Sequence, residues 1–405
     1  MARSNPNAAA GSITPKGPGR WTVRVSLGRD HLGQRVRVHD VVYGSRKDAQ
    51  RYLTEKLKRR DDGLPVALSH ETLGEWVEEW LKNWTGTKSP RSRADLRSIW
   101  KRIWAYDSLL GGVRLTALSP ERIQRFVAQL QSTKKRKQVP KEGWVETDAL
   151  LAPRTIRIYH GALRHVMNEA LRLGKVSRNV VSLVRAPALS RSDRNYLTAE
   201  QAEQFLAASA TDRFHALWSV LLLAGLRPGE ACALKWSDVD GGTLRVQRAL
   251  VWLSGTPPMF EAPKNGKART IALGERLVKI LQRHRIAQAK WRLQMGASWE
   301  DQDLLFTTEL GRPLHLHNVV VRHFKPLLKK AKLPNIRLYD LRHTHATLLL
   351  AAGEHPKVVQ ERLGHSSITL TLDVYSHVVP GMQEKAAERL DALLASTKAA
   401  GAARA

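Results

Sequence analysis

Apolar side chains that recur at helical spacing dominate the middle of the chain. One stripe follows Thr72 and comprises Leu73, Trp76, Val77, Trp80, Leu81 and Trp84. Two more comprise Ile123, Phe126, Val127 and Leu130, then Leu163, Val166, Met167, Ala170 and Leu171. A period near 3.6 residues predicts amphipathic helices that each bury one face. We therefore predict an all-α domain over residues 70–187, with the tryptophans in its core.

The amino-terminal segment has a two-residue period instead. Residues 21–27 alternate apolar with polar side chains, and so do residues 35–39, which predicts two half-buried strands. Ser45, followed by an acidic residue three positions on, predicts the start of a helix. We therefore predict a small sheet plus a helix over residues 19–65. Residues 1–18 are rich in small residues, Pro and Gly, and are predicted to be disordered.

Three arginines are predicted to share the open face of this small sheet: Arg24, Arg35 and Arg37. A basic sheet face can enter the major groove of DNA. An ordinary solvated face explains the same pattern equally well. The basic segment STKKRKQVPKEGWVETD, between two helices of the next domain, is predicted to be a loop with the same two interpretations.

The charge balance indicates the kind of partner. The 405-residue chain has 66 Lys and Arg against 37 Asp and Glu, a formal net charge of +29. Such an excess predicts a polyanion, nucleic acid before anything else. A basic membrane-surface protein would need an amphipathic helix or a lipidation signal, and we find neither in the sequence. No apolar run approaches the roughly 18 residues that span a bilayer, so we expect no membrane partner and a cytoplasmic location.

An arginine stands at a helix junction in the segment LLLAGLRPGEACALKWSDVD. Gly225 is predicted to end an apolar helix and Pro228 to start the next, which pins Arg227 between them. A pinned guanidinium suits bidentate binding of phosphate or carboxylate. Glu230 either orients this arginine or is a plain carboxylate in the first turn of a helix, and we favour the orienting role.

A lysine and a second arginine follow. In APKNGKARTIAL, Asn265-Gly266 predicts a two-residue hairpin with Lys264 at its tip, where the ammonium can act as a proton donor or be an ordinary surface group. In RLYDLRHTHATLLLAAG, Asp340 is predicted to cap a helix whose first turn contains Arg342. Because a helix N-terminus favours anions, the two arginines are expected to converge on one phosphate.

The segment LGHSSITLTLDVYSH brings a histidine and a tyrosine close together. Gly364 is predicted to end one short helix, and Ser366 or Ser367 to cap the next, which carries Tyr375. His365 lies in the turn between them. A tyrosine hydroxyl has a pKa of about 10 in water and is a poor nucleophile at neutral pH. Tyr375 is therefore either activated by its neighbours or structural.

Five residues share their order and context with the catalytic residues of the tyrosine recombinase, or phage integrase, family, which the chain resembles: Arg227, Lys264, Arg342, His365 and Tyr375. LRPGEACALKW, YDLRHTHATLLL and LGHSSITLTLDVYSHV are similar to the two arginine boxes and the tyrosine box of that family. The resemblance implies a multidomain, mainly α fold with small β-sheets. It implies an arm-type DNA-binding domain (19–65), a SAM-like core-binding domain (70–187), and a mixed α/β catalytic domain with a C-terminal tail helix (192–395).

The resemblance also implies a reaction. Tyr375 attacks a scissile phosphate, forms a 3′-phosphotyrosyl link and frees a 5′-hydroxyl. Arg227 and Arg342 stabilise the developing negative charge. Lys264 protonates the departing oxygen, and His365 hydrogen-bonds the phosphate. The covalent link conserves the bond energy, so religation requires neither ATP nor a cofactor.

One position departs from the family pattern. The family usually has a histidine three residues before its second arginine, where this chain has Tyr339. A phenol donates a hydrogen bond to phosphate readily but is a weak base at neutral pH. We include Tyr339 among the catalytic candidates, and the sequence leaves open which group accepts the Tyr375 proton.

The resemblance implies partners as well. Double-stranded DNA with core-type and arm-type attachment sites is the expected substrate, bound by a homotetramer in a bacterial host cell. An excisionase or a host DNA-bending protein is a further candidate partner. A predicted helix near residues 386–394 packs either on a neighbouring protomer or on its own domain. The competing interpretations are a related topoisomerase or telomere resolvase and a non-catalytic DNA-binding protein, which gives no reason for the five residues.

A metal site is the remaining alternative. His343, His345, His365 and His377 invite a zinc interpretation, but they lack zinc-binding spacing and a carboxylate partner. The single cysteine, Cys232, excludes an internal disulfide and a multi-cysteine zinc site. We therefore expect no metal.

Overall fold

The computed structural model describes residues 11–29, 34–62, 66, 70–83, 85–86, 88–139, 143–189, 196–253, 255–263, 266–369 and 371–372. The chain divides into two compact units, residues 1–191 and residues 192–405. The first unit contains a small sheet with a helix, followed by a group of longer helices. The second unit is mixed α/β and contains the candidate site.

The first unit begins with a three-stranded antiparallel sheet. Its strands, in the order β1-β2-β3, are β1 (Gly11–Gly17), β2 (Arg20–Arg29) and β3 (Arg35–Tyr43), followed by helix α1 (Arg46–Asp61). Val23 and Val25 of β2 are buried with Ala49 and Leu53 of α1. Ser45 and Asp48 form the predicted capping box at the start of α1. The alternating pattern therefore identified β2 and β3 correctly.

The predicted disorder of residues 1–18 is wrong for Gly11–Gly17, which forms β1 and pairs with β2. Ile13 lies opposite Val23 and packs against the core of this sheet. The absence of a side chain at Gly11 matters, because a Cβ there would lie 2.6 Å from Leu53 Cδ1. An edge strand tolerates Pro and Gly, so its composition resembles that of a disordered segment. Residues 1–10 lie outside the described residues.

Four helices build the rest of the first unit: α2 (Leu73–Asn83), α3 (Pro90–Tyr106), α4 (Pro120–Ser132) and α5 (Pro153–Arg172). The predicted stripes on α2, α4 and α5 form one buried core, except that Leu171 is exposed. Trp84 lies outside the described residues. Trp76 is fully buried, and its indole Nε1 donates to the carbonyl of Val166 on α5 (3.0 Å). The interpretation of Trp76 and Trp80 as core residues is confirmed.

The basic segment between α4 and α5 is not a loop. Strands β4 (Lys134–Val139) and β5 (Gly143–Leu150) pair as an antiparallel hairpin. Arg136 lies opposite Glu146, and Arg136 Nη2 lies 3.3 Å from Glu146 Oε1. The loop prediction was wrong because charged residues occupy both faces of these strands, which leaves no two-residue period.

The second unit surrounds a large apolar core with helices and short strands. Its helices are α6 (Ala199–Ala208), α7 (His215–Leu223), α8 (Pro228–Cys232), α9 (Glu275–Met295), α10 (Leu316–Val319), α11 (Lys325–Lys330), α12 (Asp340–Ala351) and α13 (Pro356–Leu363). Its strands are β6 (Val239–Asp240), β7 (Thr243–Val246), β8 (Ala249–Val251), β9 (Met259–Glu261) and β10 (Arg269–Ala272). α7 is apolar and buried, with Leu217 and Trp218 fully enclosed.

The predicted Asn265-Gly266 hairpin is wrong in its strand pairing. β9 pairs with β8, whereas β10 pairs with β7 in a sheet of order β10-β7-β6. The strands on either side of the Asn-Gly pair therefore belong to different sheets. The Gly266 amide donates to the carbonyl of Pro263 (2.7 Å), and the two residues between them lie outside the described residues. Local turn chemistry did not predict the nonlocal partner of β10.

The start of α12 differs by one residue from the prediction. Asp340 is the first helical residue, and Tyr339 occupies the capping position. The buried Asp340 carboxylate accepts the amide of Arg337 (2.7 Å) and pairs with the Arg337 guanidinium. Asp340 therefore braces the turn that leads into α12 and does not cap it from outside. Arg342 lies in the first turn, as predicted.

Candidate active site

Arg227 lies at the junction of α7 and α8, as the glycine and proline around it predicted. Gly225 has a φ of +67°, and a Cβ there would lie 2.4 Å from Cδ2 of His345. Pro228 begins α8. The Arg227 side chain is about one-fifth exposed (20%), and its Nη2 donates to the carbonyl of Gly364 (3.1 Å). The guanidinium thus reaches the segment that precedes Tyr375 while keeping one side open.

Glu230 is in direct contact with Arg227. Its Oε1 accepts from Arg227 Nη1 (2.7 Å), and its Oε2 accepts from the Arg227 main-chain amide (3.0 Å). Burial alone would raise the pKa of this carboxyl, but the hydrogen bond and charge of Arg269, with the charge of Arg227, lower the pKa to about 2. Glu230 is therefore an ionised carboxylate in the position that an orienting group requires.

Arg342 is almost completely buried at 2% exposure. Its Nη1 donates to the carbonyl of Gly225 (2.8 Å), and its Nη2 donates to the carbonyl of Leu363 (2.6 Å). Among the described residues, Nε has no hydrogen-bond partner. Burial, with the charge of Arg227, lowers the pKa of Arg342 to about 10, so the guanidinium remains protonated at neutral pH. An unpaired buried donor is costly and marks a place where an acceptor would be stabilised.

Residues 363–365, here called the 363–365 turn, bring the predicted groups together. Gly364 ends α13 with a φ of +65°, as predicted. Arg342 holds the carbonyl of Leu363, and Arg227 holds the carbonyl of Gly364. His365 follows directly. Three of the predicted catalytic residues, distant in sequence, therefore meet at one turn.

His365 is held in the neutral form. Its Nδ1 lies 2.9 Å from Thr371 Oγ1, and its amide donates to the carbonyl of Gln360 (3.1 Å). Burial, then the charges of Arg342 and Arg227, lower the pKa of His365 to about 4. A neutral imidazole donates through one ring nitrogen and accepts through the other.

Tyr339 lies three residues before Arg342 and is 38% exposed. Its ring meets the ring of His343 edge to face, with centroids 5.1 Å apart. Lys264 and Tyr375 lie outside the described residues, and so does the predicted helix near residues 386–394. Ser367 Oγ accepts the amide of Thr369 (3.2 Å), in keeping with its predicted capping role.

Sequence reasoning missed Arg269 and Arg362, and it considered His345 only as a zinc ligand. Arg269 binds both carboxylate oxygens of Glu230, at 3.1 Å and 2.7 Å. Arg362 donates to the carbonyls of Ala272 and Leu223 and to Nε2 of His345. His345 Nδ1 donates to a carbonyl on α7, and burial, then the charge of Arg362, lower its pKa to about 3. What marks Arg269 is its contact with the buried Glu230, and this contact joins residues that are far apart in the sequence.

The three arginines of the first sheet, Arg24, Arg35 and Arg37, are exposed. Arg24 and Arg37 lie on adjacent strands, since Arg24 pairs with His39 and Arg37 pairs with Ser26. Arg24 lies between the buried Val23 and Val25 of β2, and Arg37 of β3 lies opposite Ser26, which has the same orientation as Arg24. Both arginines therefore point away from α1. The predicted placement on an open basic face is therefore observed.

Within the described part of the chain, no three His, Cys, Asp or Glu side chains are arranged to hold a metal ion. Both ring nitrogens of His345 are engaged by protein groups. Burial raises the pKa of Cys232 to about 12, so its thiol stays protonated. No described helix combines the length and apolar character that a membrane span requires.

Comparison with known sequences locates related proteins. A family model described as the phage integrase family matches residues 195–381. The chain is 26% identical over 395 residues to a tyrosine recombinase XerC-like protein of Caldanaerobacter subterraneus, covering 92% of this chain and 96% of that protein. It is 29% identical over 369 residues to an integrase of Streptomyces ambofaciens, covering 88% and 89%.

Solved structures share the fold. The Tn1549 transposon integrase in complex with a circular intermediate DNA has a TM-score of 0.65 and 20% identity, covering 79% of this chain and 99% of that chain. A lambda integrase tetramer bound to a Holliday junction has a TM-score of 0.53 and 19% identity, covering 91% and 98%. These matches confirm the predicted multidomain, mainly α architecture with small sheets.

Proposed function

The chain belongs to the phage integrase family of tyrosine recombinases and is a site-specific DNA recombinase, and from this premise we propose how its own residues perform the reaction. Tyr375 attacks a scissile phosphate of double-stranded DNA. The Tyr375 Oη–phosphorus bond forms, and the hydroxyl proton passes to a neighbouring base, as the bond from phosphorus to the 5′-oxygen breaks. Lys264 gives a proton to that oxygen. The 3′-phosphotyrosyl link is then attacked by a 5′-hydroxyl of another strand, which releases Tyr375 without ATP.

The observation that carries this proposal is the convergence of Arg227, Arg342 and His365 at the 363–365 turn. Two guanidinium groups, one nearly buried and one partly open, flank the segment that leads to Tyr375. Positive charge fixed where water is scarce stabilises a phosphorane much more than the same charge in water does. Arg342 Nε, unpaired among the described residues, is a donor available to a phosphate oxygen.

His365 and Tyr339 complete the proposed phosphate site as hydrogen-bonding groups. Because the pKa of His365 is lowered to about 4, its ring is neutral at physiological pH and adds no further charge beside two arginines. Glu230 fixes Arg227 through two hydrogen bonds, one from the guanidinium Nη1 and one from the main-chain amide. We assign it the orienting role.

We further propose that the two parts of the first unit bind different DNA sites. Residues 70–187 hold core-type attachment sites, and Arg24, Arg35 and Arg37 bind arm-type sites through phosphate or major-groove contacts. The known tetramer of lambda integrase on a Holliday junction suggests that four copies of this chain exchange strands through a four-way junction. An excisionase or a host DNA-bending protein would select the direction, and the reaction would integrate or excise a mobile element in a bacterial cell.

Covalent trapping tests the reaction. Full-length protein is incubated with a library of nicked duplexes that carry randomised core sites, and the covalent protein–DNA adducts are isolated on denaturing gels and sequenced. We expect an adduct with the wild type that identifies the cleaved site. The nick lets the short 5′-product diffuse away, which prevents religation and accumulates the adduct.

The matched variant is Tyr375→Phe, which removes only the hydroxyl oxygen. We expect DNA binding within about twofold of the wild type and no adduct, because the nucleophile is gone. An adduct that persists in this variant would assign the nucleophile to another residue. Tight binding by the wild type without any adduct would favour a DNA-binding protein that has lost the chemistry.

A further inference from the structure

We propose that Arg269 is a positioning residue that fixes both Arg227 and the 363–365 turn. The phosphate clamp, by which we mean Arg227, Arg342 and His365, is then assembled only when Arg269 is in place. The inference rests on the proposed function, because the clamp has meaning only if phosphate is cleaved there. Arg269 begins strand β10, five residues after Lys264. It lies in the second unit with every group that it contacts.

The donors of Arg269 are already used within the protein. Nη1 donates to Glu230 Oε1 (3.1 Å), and Nη2 donates to Glu230 Oε2 (2.7 Å). Nε donates to the carbonyl of Arg362 (3.0 Å). The side chain is only 10% exposed. Each of the three guanidinium nitrogens therefore holds a protein oxygen, which suits a residue that positions others and does not itself grip DNA.

Arg269 solves an electrostatic difficulty at Glu230. That carboxylate is buried, and each of its oxygens accepts from both arginines. With Arg227 alone, the pair would be electrically neutral and would attract a phosphate weakly. With Arg269 added, two cations share one anion, and the group keeps a net positive charge that Arg227 presents at its open side. Glu230 can then orient Arg227 without cancelling it.

Arg269 also packs against the backbone of the 363–365 turn. A Cβ built at Gly364 would lie 3.0 Å from Cδ and 3.2 Å from Nε of Arg269, so the glycine backbone packs directly on this side chain. The bond from Nε to the Arg362 carbonyl holds the end of α13, two residues earlier. Arg227 donates to the carbonyl of the same Gly364. The Arg269 side chain thus contacts both Glu230, which binds Arg227, and the turn that contains His365.

The test compares two scissile groups in single-turnover cleavage by the full-length protein. One substrate has the normal phosphate, and the other has a methylphosphonate, which carries no negative charge and so depends less on arginine cations. With Arg269→Gln, we expect cleavage of the phosphate to slow by about 100-fold, as small displacements of a catalytic group do. We expect the defect on the methylphosphonate to be at least about tenfold smaller.

A second chemical substitution separates Arg269 from Lys264. A sulfur in place of the bridging 5′-oxygen leaves without protonation, so it rescues the loss of a general acid. We expect no rescue of Arg269→Gln by this substrate, because the missing contribution is charge stabilisation. Rescue by sulfur would overturn the proposal and assign Arg269 to the placement of Lys264.

Arg248 offers a matched control, since its Nη1 donates to the buried Asp238 carboxylate (2.6 Å) away from the clamp. Arg248→Gln loses an arginine from a buried pair too, so we expect it to slow both substrates in equal proportion or neither. Equal slowing of both substrates by Arg269→Gln would show a merely structural role and overturn the proposal. So would cleavage at the wild-type rate.

Arg269→Lys keeps the charge and loses the fork. We expect it to cleave the phosphate faster than Arg269→Gln but slower than the wild type. If Arg269→Gln fails to fold by circular dichroism, the lysine variant decides: an unchanged ratio of phosphate to methylphosphonate rates overturns the proposal. Absence of an adduct with the wild type overturns the proposed function and this inference with it. A cleavage defect confined to the Arg269 variants, with normal DNA binding, supports the inference.

Discussion

At the scale of single residues, the candidate site combines groups whose protonation is fixed by burial and by neighbouring charges. Arg342 stays charged in a nearly closed position, with its pKa lowered only to about 10. His345 and His365 stay neutral, because burial and neighbouring arginines lower their pKa values to about 3 and about 4. Glu230 stays ionised, with its pKa lowered to about 2. The charge pattern of the site is therefore constant across the physiological pH range.

This constancy predicts how stability depends on pH. The pKa values of His345 and His365 in the folded protein lie below their usual value of 6.5. Below about pH 6.5, the unfolded chain therefore binds more protons than the folded chain does. We expect the free energy of unfolding to fall as the pH drops from about 6.5 towards about 4. Urea unfolding of the wild type and of His365→Gln at pH 7, 6 and 5 measures it. The glutamine variant should show the shallower fall, and equal slopes would contradict the lowered pKa of His365.

Much of the candidate site was predictable from residue order alone. Arg227, Arg342 and His365 each stand beside a local signal, a glycine or a helix start, and these signals depend only on neighbouring residues. Arg269 had no such signal, because an arginine at the start of a strand resembles any solvated position. Its importance arises from contact with Glu230, 39 positions away, and one sequence does not display such contacts.

At the scale of elements, the β4–β5 hairpin is a basic projection on a unit whose helices pack into a closed core. Lys134, Lys135 and Arg136 of β4 are exposed. Among the described residues, Arg136 pairs with Glu146, and Lys134 lies 3.9 Å from Asp148. Exposed ion pairs of this kind contribute little to stability. We propose that the basic residues of the hairpin contact a DNA backbone.

Replacing Lys135 and Arg136 with glutamine should weaken DNA binding to a similar extent for all sequences. The dependence of log Kd on log salt concentration should become shallower by about one unit for each DNA phosphate that is no longer neutralised. Titration by fluorescence anisotropy at several salt concentrations measures both effects. A control removes two exposed, ion-paired cations of α9 by Arg276→Gln and Lys279→Gln. An unchanged salt slope in the hairpin variant would mean that these residues remain solvated on DNA.

Element prediction succeeded where the information was local. The stripes of α2, α4 and α5 mark one buried face, and the structure has those helices. β1 escaped prediction because an edge strand needs only one inward apolar residue, here Ile13. The β4–β5 hairpin has no two-residue alternation of apolar and polar side chains, because both of its faces carry charged residues. The pairing of β9 with β10 was wrongly predicted because β10 pairs with β7, where Arg269 lies opposite Val246 and Ala272 opposite Thr243. Local turn rules do not detect a partner that far along the chain.

At the scale of the whole molecule, the first unit contains a sheet domain and a helical domain that touch. Arg59 of α1 is buried, and its Nη2 donates to the carbonyl of Gly174 beyond α5 (2.6 Å). The proposed catalytic groups all belong to the second unit. Removal of the sheet domain therefore takes away basic surface and the hydrogen bond from Arg59 to Gly174, but none of the clamp residues.

Deletion of residues 1–65 should separate the two proposed kinds of DNA binding. We expect cleavage of a core site within about threefold of the full-length rate, because the clamp is intact, and much weaker binding to separate arm-type sites, since the positively charged sheet face is absent. Adduct formation and anisotropy on the two DNAs measure these quantities. Arg24→Gln with Arg37→Gln in the full-length chain should reproduce the weaker binding. Normal arm-site binding by the deletion would refute the role given to the sheet.

The clamp rests in large part on main-chain oxygens. Among the described residues, the guanidinium groups of Arg227, Arg269 and Arg342 donate four hydrogen bonds to carbonyls and three to the Glu230 carboxylate. A carbonyl belongs to the backbone, so the bond from Arg342 to Leu363 does not depend on the identity of the Leu363 side chain. Gly225 and Gly364 are different, because both have a positive φ and a Cβ on either would lie within 3.0 Å of a neighbouring side chain. The path of the main chain, together with Glu230, therefore sets where these three guanidinium groups lie.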